Sequence, residues 1–352
     1  MRLRASFSAT RDVAIDLGTA NTLVYVHGRG VVRSEPSVVA MDDQTGEVHA
    51  VGEEAKRMIG RTPANISAIL PLRHGVIADL EVAESMLRHF LGTVRESRFT
   101  RPRLVLCAPS GITDVERRAL VEASEGAGAR SVALIEEPIA AAIGAGLAID
   151  EPTGRMVVDV GGGTSEMAVI SLGGMVVEES LRVGGYDFDE AIANHLRTEH
   201  RLAVGSQTAE AIKLQIGSAW EPADRGQADV RGRDIISGLP HSVTVDSPEL
   251  RSAYGEPLQS IVAAVVATLE RTPPELAGDI VNGGILLAGG GALLPGMDDL
   301  IASVTGIPVT IAAEPLSCVA EGAGTSLEDF DTVLRASNSW MAKPRRLAVG
   351  GN

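Results

Sequence analysis

One short stretch limits what this chain can fold into. Met156-Val157-Val158 leads into Asp159-Val160-Gly161-Gly162-Gly163-Thr164, and Met167-Ala168-Val169-Ile170 leads out. This reads as strand, tight glycine turn, strand, with a carboxylate at the end of the first strand. Glycines let a backbone approach a ligand closely because no Cβ intervenes. Successive amides in such a turn form an anion-binding concavity. A carboxylate beside a bound phosphate repels it unless a cation lies between, so Mg²⁺ is implied. The plainer alternative is a hairpin whose glycines only supply positive φ.

The same grammar occurs earlier. Val13-Ala14-Ile15-Asp16 runs into Leu17-Gly18-Thr19-Ala20-Asn21, followed by Thr22-Leu23-Val24-Tyr25-Val26. Asp16 and Asp159 stand 143 positions apart (159 − 16). That is far beyond the roughly 20–50 residues of a solenoid repeat, so the pattern predicts two related lobes. Two such hairpins facing across a cleft would grip a phosphate from both sides.

Length and composition narrow the rest. A chain of 352 residues is long enough for two or more domains. The formal net charge of −15 argues against an electrostatic nucleic-acid binder, which needs a basic surface. Aromatics make up only 3%, so the core must come from Val, Ile, Leu and Ala. Cys107 and Cys318 lie in apolar surroundings and read as reduced, buried thiols. No apolar run is long enough to span a membrane, and the first residues lack a signal-peptide core, so a cytoplasmic protein is expected. Residues 1–11 combine Arg2, Arg4 and Arg11 with Leu3 and Phe7. They read as a flexible tail or, alternatively, as a weak amphipathic membrane anchor.

Along the chain, strands and helices alternate as in an α/β layered sheet. Helices are expected at 53–59, 80–91, 139–148, 188–199, 208–216, 258–269 and 318–325. Another opens at the Thr113-x-x-Glu116 capping box. Strands are expected at 104–108, 132–135, 285–288 and 309–312, and a short polar sheet within 220–247. Phe99 stands among Arg98, Arg101 and Arg103, a loop that reads as ordinary surface or as a membrane contact. From Glu328 onward the chain reads as an irregular tail. Glu136-Glu137-Pro138 closes a strand just before a helix, where α/β sheets present functional groups. Glu210 and Lys213 share a helix face, either as a surface ion pair or as a nucleoside clamp. Gly289-Gly290-Gly291-Ala292-Leu293 forms a third glycine turn after a strand, suited to close approach by a base or its ribose.

Taken together, Asp16-Leu17-Gly18-Thr19, Glu137-Pro138, Asp159-x-Gly161-Gly162-Gly163-Thr164, Glu210-x-x-Lys213 and Gly289-Gly290-Gly291 resemble the nucleotide signature of the actin/Hsp70/sugar-kinase superfamily. A closer resemblance is to the MreB/Mbl family of bacterial actins. It is carried by Ile15 to Thr22, Val51 to Lys56, Gly60-Arg61-Thr62-Pro63, Gly75 to Asp79, Ile135 to Pro138, Arg271 to Leu276 and Gly289 to Leu294. It covers about 12–327.

The resemblance implies an actin-like α/β fold of duplicated ribonuclease H-like lobes around a nucleotide cleft. Lobe I would comprise 12–29, 76–142 and 314–327, with an insertion at 30–75. Lobe II would comprise 143–182 and 245–313, with an insertion at 183–244. Residues 1–11 and 328–352 would be flexible tails. It implies ATP and Mg²⁺ as ligands and a weak ATPase. Gly18, Thr19, Ala20 and Asn21 would face Gly161, Gly162 and Gly163 across the phosphates, with Asp16 and Asp159 holding Mg²⁺ through water. Glu137 would position the attacking water, aided by Thr164, with Glu136 as the alternative. Glu210, Ala211, Ile212 and Lys213 would meet ribose and base on one side, and Gly289, Gly290, Gly291, Ala292 and Leu293 on the other.

The implied role is a self-assembling filament at the inner face of the cell membrane. It would organise cell-wall synthesis and cell shape with membrane proteins of the MreC, MreD and RodZ kind, and would bind no nucleic acid. A small-molecule kinase or a chaperone-type ATPase on the same fold is the competing expectation. One departure lies near the site: His74 follows Arg73 where the family carries an acidic residue.

Overall fold

The computed structural model describes residues 12–94 and 101–342, so the segment 1–11, Phe99 and residues 343–352 lie outside the described residues. The chain opens with the meander β1 (Val13–Leu17), β2 (Asn21–Val26) and β3 (Gly30–Pro36). Next come β4 (Val39–Asp42), β5 (Val48–Val51), α1 (Glu53–Met58), β6 (Ile66–Ile69), β7 (Leu72–Arg73) and β8 (Val76–Ile77). The first half closes with α2 (Leu80–Val94), β9 (Arg103–Ala108), α3 (Asp114–Gly126), β10 (Ser131–Glu136) and α4 (Glu137–Gly144). The capping box holds at α3: the Thr113 hydroxyl accepts from Glu116 N, and the Glu116 carboxylate accepts from Thr113 N.

The second half begins with β11 (Arg155–Val160), β12 (Ser165–Ser171) and β13 (Gly174–Leu181). Then follow α5 (Gly185–Glu199), β14 (Leu202–Ala203), α6 (Ser206–Ile216), β15 (Gln227–Asp234), β16 (Pro240–Asp246), α7 (Ser247–Ala253), α8 (Gly255–Glu270) and α9 (Pro274–Gly283). The last elements are β17 (Ile285–Ala288), α10 (Met297–Thr305), β18 (Val309–Ile311), α11 (Cys318–Thr325) and α12 (Phe330–Ala342).

The two large sheets have the same topology. One runs β10-β9-β1-β2-β3 and the other β18-β17-β11-β12-β13. In each, three antiparallel strands form a meander, and two strands lie parallel to its first member. The first strand of each meander is therefore central. Its near-continuous apolar residues, Val13-Ala14-Ile15 and Met156-Val157-Val158, suit burial on both faces. The internal repeat read from Asp16 and Asp159 is a duplication of the whole sheet.

Helices α4 and α11 lie between the sheets, with residues of both sheets in one apolar cluster. Their approach is set by two glycines. A Cβ on Gly144 would overlap the Cys318 carbonyl, and one on Gly322 would overlap the Ala140 carbonyl. Ala140, Ala141 and Ala142 are fully buried in the same contact. The free thiols of Cys107 and Cys318 are buried in this cluster.

Three sequence expectations change. Residues 30–36, read as the start of an insertion, complete the first sheet as its third strand; the meander continues through the turn ahead of Gly30 before the chain leaves for the small sheet β5-β4-β6. Helix α4 starts at Glu137, ahead of the expected 139, because Pro138 is preformed for a first helical turn. The irregular tail expected from 328 is instead helix α12 over 330–342. Phe330, Val333, Leu334 and Ser337 recur at helical spacing and turn inward. Arg103 stacks on the Phe330 ring at 4.7 Å, and the Ser337 hydroxyl accepts from Leu134 N at 3.0 Å. That bond satisfies an amide of β10, the edge strand of the first sheet, which α12 thereby covers.

Phe330 is 3% exposed. Phe330→Ala should lower stability by about 3–5 kcal/mol, the usual cost of emptying a buried aromatic site. A urea midpoint unchanged from wild type would show that α12 is not part of the cooperative fold.

Candidate functional site

The repeated hairpins meet at their tips. Thr19 and Ala20, between β1 and β2, touch Gly162 and Gly163, between β11 and β12. A Cβ on Gly162 would stand 2.5 Å from Ala20 Cβ, and one on Gly163 would stand 2.7 Å from Thr19 Oγ1 and 3.0 Å from His74 N. Glycine is required here by contact between the two lobes. The segment before β8 completes the joint. Gly75 N donates to Thr19 Oγ1 at 2.9 Å, and His74, held at φ 46, places Nδ1 3.2 Å from the Gly163 carbonyl. Thus His74, the departure noted in sequence, is a member of the turn contact.

Between the lobes lies a cavity of about 400 Å³. Asp16, Gly18, Thr19, Ala20 and Asn21 line it from the first hairpin, and Asp159, Gly161, Gly162, Gly163 and Thr164 from the second. Glu137 reaches it from the start of α4, whereas Glu136, the last residue of β10, is not among its walls. Glu210, Lys213 and Leu214 line it from α6. Gly289, Gly290, Gly291 and Leu293 line it from the third turn. Ala211 faces solvent, Ile212 packs into the second lobe's core, and Ala292 is buried. A larger groove of about 820 Å³ beside α8 is lined by none of the three glycine turns and by none of Asp16, Glu137 and Asp159.

The pair Glu210 and Lys213 do not bond to each other. Lys213 Nζ donates to Gly185 O at 2.8 Å and lies 2.8 Å from Asp189 of α5. Glu210 lies 2.7 Å from Lys56 on α1, across the mouth of the cleft. Gly289, at φ 78, backs onto the Asp159 carboxylate so closely that a Cβ would clash with it. The third turn thus shapes the acidic floor as well as the wall.

That floor is electrostatically unbalanced. Burial pushes the Asp16 carboxyl up to about 7. Burial and the Asp16 charge push Asp159 to about 7 as well. Burial, with Glu166, Asp16 and Asp159 nearby, raises Glu137 well above the carboxylate range. Among the described residues no basic side chain is paired with any of the three. A hard divalent cation with oxygen ligands fits such a donor set.

Glu166 was missed in the sequence. It sits on β12 directly opposite Asp159 and is 1% exposed. Its carboxylate accepts from the Ser110 hydroxyl at 2.5 Å, from Ser110 N at 3.2 Å and from the Ser180 hydroxyl at 2.6 Å. Burial raises it to about 7 although these hydrogen bonds oppose the shift. Ser110 follows β9 in the first lobe, so Glu166 ties the lobes together beneath the cleft. Cross-strand pairing of the second hairpin puts Asp159 and Glu166 on one face, a signal available from the turn alone.

Two duplicated sheets with a glycine-turned acidic cleft between them define the actin-like class. Within it, the chain belongs to the MreB/Mbl family, whose model, described as MreB/Mbl protein, matches residues 10–335. It is 50% identical over 280 residues to the cell shape-determining protein Mbl of Bacillus subtilis, covering 79% of this chain and 84% of that protein. It is 53% identical over 294 residues to the cell shape-determining protein MreB of Escherichia coli, covering 82% and 84%. The crystal structure of MreB 5 of Spiroplasma citri bound to AMPPNP matches with a TM-score of 0.87 at 38% identity, over 93% of this chain and 98% of that one.

Asp159, ordinarily near 3.8, titrates at about 7 in the folded protein. The folded state then holds its proton more tightly than the unfolded state, so this group's contribution falls as pH rises from about 4 to about 7 and is level above that. Metal-free Asp159→Asn should therefore gain melting temperature over wild type progressively from pH 5 to pH 7.5. A gap that stays constant with pH would contradict the burdened carboxylate.

Proposed function

We propose that this chain is an ATP-binding, ATP-hydrolysing bacterial actin that assembles into membrane-associated filaments and organises cell-wall synthesis and cell shape. The observation that carries the reading is the joint of two duplicated glycine turns over an acidic floor that lacks a basic partner. Family membership supports it, as does a relative of the same fold bound to AMPPNP and to ADP. AMPPNP carries a triphosphate-like chain, the ligand that opposed amide turns suit.

The nucleotide would lie between the core of lobe I and the core of lobe II. The amides of Gly18 to Asn21 and of Gly161 to Gly163 grip the β- and γ-phosphates from opposite sides. Asp16 and Asp159 would hold Mg²⁺, which would supply charge neutralisation for the phosphates. Glu137 orients the attacking water and takes its proton; a carboxylate raised by burial is a stronger base than an exposed one. Thr164, 7% exposed and lining the same cavity, assists in placing that water. Glu210 and Lys213 hold the ribose edge, and the Gly290 turn closes over the base. In phosphoryl transfer to water most of the catalysis is positioning and charge stabilisation, so a weak ATPase is the expected activity.

Filaments would form from copies of this chain at the inner face of the cell membrane, in company with elongation proteins of the MreC, MreD and RodZ kind. No helix among the described residues is long and apolar enough to cross a membrane.

Sedimentation with ATP and phospholipid vesicles tests this. The protein should pellet with the vesicles at micromolar concentration and release phosphate slowly. Remaining in the supernatant while phosphorylating a small molecule would favour a kinase instead. Glu137→Gln should retain nucleotide affinity and lose about 10²-fold or more in hydrolysis, the scale of a general base. Equal turnover would remove Glu137 from that role.

A further inference from the structure

A second cluster of chemistry-bearing side chains lies in lobe II, at the far end of α5 from the cleft. His195 stands in the last turns of α5, His200 is its C-cap, and Glu249 lies in the first turn of α7. His195 Nε2 is 2.9 Å from Glu249 Oε1, and His200 Nε2 bonds the same oxygen. The three ligand atoms all lie within 4.8 Å of one another. A tetrahedral ion with bonds of about 2.0–2.1 Å keeps its ligand atoms about 3.3 Å apart, so a small opening of this cluster admits one.

We propose that His195, His200 and Glu249 form a binding site for a divalent transition-metal ion of the Zn²⁺ class, with the remaining coordination position left to water. Two imidazoles and one carboxylate are a ligand set for such ions, whereas Mg²⁺ prefers oxygen alone. The side chains are 22%, 26% and 26% exposed, enough for an ion to enter and for water to complete its shell. The backbone around them is fixed. Asp246 caps α7 by accepting from Glu249 N at 2.9 Å, and His200 N donates to Leu196 O at 3.2 Å. The imidazole rings stand edge to face, with centroids 6.0 Å apart, so their Nε2 atoms converge without stacking.

The ion would fasten the end of α5 to the start of α7. Helix α5 begins at the second phosphate turn, where Gly185 N donates to Gly161 O at 3.0 Å. Its 15 residues place the metal about 22 Å from that turn. The site is therefore separate from the nucleotide's own cation.

Chelator-stripped full-length protein, titrated calorimetrically with Zn²⁺ in excess Mg²⁺, should take up one saturating equivalent. With Co²⁺ as probe, the same equivalent should give the visible absorption of a tetrahedral complex. His195→Gln and His200→Gln should each weaken binding at least about tenfold, since loss of a ligand costs no less than loss of an outer-shell partner. Wild type should also melt higher with Zn²⁺, and neither variant should. Should His195→Gln not fold by circular dichroism, His200→Gln and Glu249→Gln carry the test. No saturable equivalent in wild type, or unchanged affinity in folded variants, overturns the site and leaves a plain hydrogen-bonded His–Glu–His cluster.

Discussion

Three carboxylates buried together without a base are costly, and the architecture is arranged around bearing that cost. An isolated buried charge is avoided by neutralisation or by pairing. Here Asp16, Asp159 and Glu137 come from the two central strands and the start of an interlobe helix, positions fixed by the cores of both lobes. They cannot retreat to solvent without unfolding a central strand. Burial disfavours their charged forms, which a cation bound with phosphates would relieve. Ligand binding and interlobe order draw on the same electrostatic debt.

Two other contacts keep the lobes in register while that debt stands. The α4–α11 crossing brings backbones together at Gly144 and Gly322, leaving no room for side-chain rearrangement. The Ser110–Glu166–Ser180 bonds join the lobes at the turn end of β12. Both are short-range and buried, so they suit a rigid base. By contrast, Lys56 and Glu210 meet at the mouth, each about a third exposed, where a pair contributes little and yields easily. The cleft is thus built stiff at its floor and loose at its rim.

Local patterns were readable in the sequence because local physics makes them. The hairpins, the capping box of α3 and the glycine turns follow from residues within a few positions of each other. Helix α6 shows where contiguity misleads. Only Glu210, Lys213 and Leu214, at i, i+3 and i+4, share the cleft face, while Ala211 and Ile212 turn away with the helical period. Glu166 escaped notice because its partners, Ser110 and Ser180, are distant in sequence or on another strand. Helix α12 escaped because its inward stripe is thin and partly polar, and Ser337 earns its burial only through the edge amide of Leu134. Lys56 reaches Glu210 only because the lobes meet, and Asp189 reaches Lys213 only because α5 packs on α6.

The two sheets, alike in topology, are put to different uses. Strand β9 corresponds to β17, and each is followed by a turn. Both turns address the second hairpin: Ser110, after β9, bonds Glu166, and Gly289, after β17, backs onto Asp159. The first hairpin receives no such support. Where the second carries Glu166 opposite its aspartate, the first carries Leu23 opposite Asp16. The second hairpin is consequently gripped from both lobes, and the first is held by its own apolar packing, by Ser37, whose hydroxyl donates to Gly18 O at 2.6 Å, by Gly75 N, and by its tip contact with Gly162 and Gly163. A change at the glycine turn of this hairpin would reach both lobes through β11 and β12. Their hairpin meets the first lobe twice, at Ser110 and at the Thr19–Ala20 turn.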